Sequence, residues 1–133
     1  MENRAVELHD SRVVATEWTG ADLVLRMSVY LHQSDGQPGE DRGTGWTQDA
    51  ELRVGTATPI ELPSAPLWIL DGTIEVGQRV FENLLPVPFD HQGRVAVKLN
   101  GAAGKLHVVG VGATLTLLGK PVFIEDVPAH HES

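Results

Sequence analysis

The feature that most restricts this chain is the stretch Leu23 to His32, in which apolar and polar side chains alternate. Leu23, Leu25, Met27, Val29 and Leu31 fall on one side of an extended backbone, with Val24, Arg26, Ser28, Tyr30 and His32 on the other. Successive side chains of a strand point to opposite faces, so this is the period of a strand with one buried face. A helix would also gather Leu23, Met27, Tyr30 and Leu31, but the unbroken alternation decides for the strand.

The same period recurs. Ala50, Leu52 and Val54 oppose Glu51, Arg53 and Gly55, and Val95, Val97 and Leu99 oppose Arg94, Ala96 and Lys98. Asn100 to Gly104 reads as a glycine-containing hairpin loop into Lys105–Leu118, which is apolar on both faces like a central strand covered twice. Gly110 and Gly112 lie inside it, where glycine marks a bend, a bulge or another backbone pressing close. Val122–Val127 follows as a last strand. Shorter candidates are Val6–His9, Val13–Trp18, Trp68–Leu70, Thr73–Val76 and Val87–Phe89, with Asp71-Gly72 as a tight turn. Thr58 to Pro66, with three prolines, reads as a stiff crossover. The 14 glycines and 8 prolines punctuate the chain at turn spacing. The pattern predicts an all-β fold. The expected form is a single antiparallel β-sandwich of jelly-roll type over residues 1–128, with a closed β-barrel as the alternative and 129–133 as a flexible tail.

Several function classes are argued against by what the chain contains. There are no cysteines, so thiolate metal sites and cysteine nucleophiles are excluded. A net charge of −8 sets a repulsive field against nucleic acid and anionic membranes, and the lysines and arginines are scattered. The opening residues Met1 to Glu7 carry no basic segment followed by an apolar run, and the expected location is the cytoplasm. No Gly-x-Ser-x-Gly elbow, phosphate-binding loop or dinucleotide fingerprint occurs, and no cofactor is expected.

Two stretches stand out as binding surfaces. Gln33 to Gln48 reads as a long loop, and long loops in compact domains are functional or disordered. Asp35, Glu40, Asp41 and Asp49 give it hard oxygen donors, although their spacing fits no calcium-loop template, which leaves a metal there open. Trp46 follows Gly43-Thr44-Gly45 and is either an aromatic anchor or a plug for one end of the fold. The other stretch is Asn83 to Phe89, whose prolines suit a protected edge strand or an apolar contact strip.

Of the histidines at 9, 32, 91, 107, 130 and 131, no two form a His-x-His pair. His9 and Asp10 could meet His32 only if their strands are neighbours. The leading expectation is a non-catalytic binding or interaction domain working through the 33–48 loop, with Trp46, Asp35, Asp41 and His32 as ligand-binding residues. The alternatives are a barrel holding a small ligand between Leu23–Leu31 and Lys105–Leu118, and, more weakly, an enzyme using His32 or His107 with a carboxylate. The partners this leaves are a small molecule, another protein or a second copy of the chain.

Overall fold

The computed structural model describes residues 3–129. Nine antiparallel strands form one sheet: β1 (Asn3–Thr19), β2 (Asp22–Ser34), β3 (Gly43–Val54), β4 (Thr58–Glu61), β5 (Leu67–Val76), β6 (Arg79–Glu82), β7 (Leu84–Val87), β8 (Phe89–Gly101) and β9 (Gly104–Val127). Among the described residues there is no helix, and so none long and apolar enough to cross a membrane. His130 and His131, and the rest of the expected tail beyond Ala129, lie outside the described residues; Ala129 itself is buried.

The strand order is β6-β5-β8-β9-β3-β2-β1-β7, and β1 also pairs with β5 through Arg12↔Trp68 and Val13↔Leu67. The sheet therefore curls until its two sides meet in a partial ring of strands, consistent with the expected sandwich or barrel-like fold. Direct contact between β1 and β5 is short. Beside it the ring is completed by a strap, with β7 on β1 and β6 on β5. Asn83 joins the two halves of this strap at a φ of +59°. Its carbonyl accepts from Leu8 N–H at 2.7 Å, its N–H donates to Gly72 O at 2.9 Å, and its Oδ1 accepts from Gly72 N–H at 2.8 Å. One residue thus satisfies backbone groups on both sides of the seam, groups that would be costly to bury unpaired.

Alternation fills the ring. Leu23, Leu25, Met27, Val29 and Leu31 are buried together with Val6, Leu8, Leu52, Ile74, Phe89, Val97, Leu99, Leu106 and Val108 in one cluster. The side chains that would have lined an internal ligand cavity are thus the packed core itself. Gly110 explains why a glycine sits in β9, since a Cβ there would run into the Gly55 carbonyl and the Val54 side chain.

Several expected boundaries shift. Trp68–Leu70 and Thr73–Val76 are one strand, β5, and Asp71-Gly72 is an irregularity within it rather than a turn. Val6–His9 and Val13–Trp18 are likewise one strand, broken in register between Glu7 and Arg12. Ser11 bridges this bulge: its hydroxyl donates to Glu7 O at 2.7 Å and accepts from Tyr30 N–H at 3.0 Å. A side chain stands in for the missing ladder bond, so the strand continues. Lys105–Leu118 and Val122–Val127 also merge into β9. Thr58–Glu61 of the expected crossover forms β4 against β9.

Candidate functional site

The expected 33–48 loop is shorter than its composition suggested. Gln33 and Ser34 complete β2, residues 43–48 belong to β3, and only 35–42 leave the sheet. Gly43 and Gly45 look like loop glycines but are strand residues beside crowded neighbours. A Cβ on Gly43 would meet the Gln33 carbonyl, and one on Gly45 would meet the Tyr30 hydroxyl.

A set of hydrogen bonds fixes the remaining loop. Asn3 Nδ2 donates to Gly36 O at 2.7 Å. Ser34 Oγ donates to Arg42 O at 2.7 Å and accepts from Gly36 N–H at 3.1 Å. Asp41 Oδ2 accepts from Gln37 N–H at 2.6 Å, while Glu40 and Asp41 N–H both donate to Gln37 O. Gly39 N–H donates to His32 Nδ1 at 2.6 Å. That bond needs a lone pair at Nδ1, so His32 is neutral with its proton on Nε2. Nε2 is buried without a partner and faces the Gly43 backbone.

The tied-down loop makes one wall of a groove of about 690 Å³. The opposite wall is the β1–β7 pair, where Arg4 stands across from Val87 and Ala5 across from Pro86. Gly36, Gln37 and Pro38 face Asn3, Arg4, Leu84, Pro86 and Val87 across it. Leu84 packs directly beneath Gly39, so loop and strap touch at the groove's end. The volume is in the range of small-ligand sites, roughly 300–1,000 Å³. Its lining is mostly apolar. Arg4, exposed and in no ion pair among the described residues, supplies a cation.

None of the ligand-binding residues singled out from sequence lines this groove. His32 is buried beneath the loop, and Asp41 is the acceptor that closes the Gln37 turn. Asp35 is exposed and borders a separate shallow depression with Gln33, Arg42 and Thr44. Trp46 lies in β3, half-buried against the core, with its indole N–H donating to Thr44 Oγ1 at 2.8 Å and its ring edge-on to Phe123. Trp68, in contrast, is 61 % exposed, with the Arg12 guanidinium stacked over it. Sequence reasoning missed Asn3, Arg4 and Ala5. The strip Asn83–Phe89 was the available signal for Leu84, Pro86 and Val87.

A second group of polar residues gathers on the outer face of β1 and β2, which are indeed neighbours. Glu7 pairs with Tyr30, and its Oε1 is 3.8 Å from His32 Nδ1. Because that nitrogen accepts from Gly39, this is a contact between a carboxylate and a neutral ring, not an ion pair. Glu7 Oε2 lies 3.8 Å from His9 Nε2, which is 3.4 Å from Asp10 Oδ2. Tyr30 O–H donates to Glu125 Oε2 at 2.8 Å. Burial pushes the Glu7 carboxyl above its ordinary value, against the opposing pull of His9. Desolvation, then the Glu125 carboxylate, hold the Tyr30 hydroxyl protonated far above its usual range. Of the other histidines, His91 packs tilted against Phe81 and edge-on against Phe89, and His107 pairs across the ladder with Lys98 and Glu61.

No protein-family model matches the chain, and neither the curated proteins nor the solved structures yield a match to it.

Proposed function

We propose that the protein is a non-catalytic binding module whose groove between the 35–42 loop and the β1–β7 edge takes a small amphipathic carboxylate. The observation that carries this reading is the placement of Arg4 at a groove whose apolar walls are Pro38, Leu84, Pro86 and Val87. Apolar walls favour an aliphatic or aromatic body, and a guanidinium recognises a carboxylate through paired N–H donors. Among the described residues the groove holds no nucleophile and no acid–base pair: its polar side chains are Asn3, Arg4 and Gln37. Binding without chemistry is what such a lining supports. The test is an amide-shift titration by NMR with octanoate. Shifts at residues 4–5, 36–39 and 84–87, weakened about tenfold by Arg4→Ala, support the reading; shifts elsewhere, or none, overturn it.

For a macromolecular partner, one observation favours a second copy of the chain. Beyond Leu115, β9 pairs only with β3 among the described residues, which leaves its other edge open. Val122, Phe123 and Ile124 are exposed on that stretch. A two-fold antiparallel pairing centred on Phe123 sets Val122 opposite Ile124 and Lys120 opposite Asp126, so both apolar and charged positions complement themselves.

A further inference from the structure

The bulge in β1 creates a second site, unrelated to the groove. Under strict alternation Glu7 and His9 face outward, with Leu8 in the core, and Asp10 would turn inward. The register break between Glu7 and Arg12, held by Ser11, instead leaves Asp10 exposed next to His9. One nitrogen and two carboxylates from this stretch of β1 converge as a result. Their donor atoms all lie within 4.8 Å of one another. We propose that Glu7, His9 and Asp10 form a binding site for a divalent transition-metal ion of the zinc type.

Three arguments support the assignment. Donor atoms bound to zinc at about 2.0–2.2 Å are themselves roughly 3–3.5 Å apart in a tetrahedral shell. His9 Nε2 and Asp10 Oδ2 already stand at 3.4 Å, and Glu7 Oε2 needs a small side-chain rotation from 3.8 Å. Imidazole with carboxylates suits zinc, copper or nickel, whereas calcium and magnesium prefer oxygen alone. The surroundings are also short of positive charge. Facing the three donors are Tyr30 and neutral His32 from β2 and Glu125 from β9. Both Asp10 and His9 are open to solvent, so an ion has a path in and room for water in its remaining positions.

The proposal has a simple competing account: His9, when protonated, pairs with two carboxylates and binds nothing. Zinc titration by calorimetry, with cobalt(II) visible absorption as the spectroscopic probe, separates them. The proposal predicts one ion bound per chain at neutral pH, at least tenfold weaker in His9→Ala and in Asp10→Asn. The double variant His130→Ala/His131→Ala serves as the control for the adjacent terminal histidines and should bind as the parent does. Absence of binding at millimolar zinc, binding unchanged in His9→Ala, or binding abolished by the terminal double variant would each overturn it. Circular dichroism of the variants confirms that a lost signal is not a lost fold.

Discussion

The backbone N–H of Gly39 donates to His32 Nδ1 at 2.6 Å. The most buried histidine among the described residues is therefore a loop anchor, and its reach is structural. It connects the core strand β2 to the wall of the groove. Replacing it with leucine removes the acceptor and also removes the unpartnered Nε2, two effects of opposite sign. We expect His32→Leu to destabilise by a net of about 1–2 kcal/mol. The sharper readout is amide hydrogen exchange at Gly39, which should accelerate to the rate of an open loop; unchanged exchange there would contradict the anchoring role.

Asn83 holds the seam of the ring. Asn83→Ala removes the Oδ1 acceptor of Gly72 N–H and puts a Cβ without a local partner into left-handed backbone. The combined cost is about 2–3 kcal/mol. Asn83→Gly keeps the conformation and loses only the side-chain bond, so it should be the milder change. Urea unfolding of the two variants checks this order. Equal destabilisation would mean that backbone conformation at this position contributes nothing.

Glu7 gives a pH prediction. Its carboxyl is raised from an ordinary 4.5, chiefly by burial. A folded state that holds the proton more tightly than the unfolded chain gains stability below the unfolded value. That gain is lost as pH rises through the folded value. At neutral pH the charged Glu7 is thus a burden on the fold. Glu7→Gln should melt higher than the parent at pH 7 in metal-free buffer, with the difference shrinking toward pH 4. A variant that melts lower at both pH values would show that ion pairing outweighs burial.

The open edge of β9 carries the self-association reading. The parent is expected to dimerise at high concentration, and Ile124→Lys, which places like charge near the proposed two-fold centre, should shift sedimentation velocity toward monomer. Parent protein that sediments as a monomer at hundreds of micromolar would end that reading.

Much of the fold was legible because alternation is a one-dimensional signal. Leu23 to Leu31 places every other side chain in the core, and no other information is needed to see it. What escaped depends on contacts between distant residues. Gly43 and Gly45 resemble a flexible loop until the Gln33 carbonyl and the Tyr30 hydroxyl are seen pressing on them. The β1 bulge was invisible because Ser11 supplies a hydrogen bond that normally comes from backbone. The acidic residues of the 35–42 segment drew attention as ligands, yet Asp41 is used locally to shape its own turn. Arg4 had no sequence signal at all. Its setting comes from β7, some eighty positions along the chain, which the proline-flanked strip only hinted at.

The hydrogen-bonded 35–42 loop and the β1–β7 edge are proposed to close together on a carboxylate ligand. Hydrogen exchange at Gln37 and Gly39, measured with and without saturating octanoate, checks this. Slower exchange is expected at both amides in the parent, with no slowing in Arg4→Ala. Slowing that persists in Arg4→Ala, or exchange indifferent to octanoate in the parent, would contradict it.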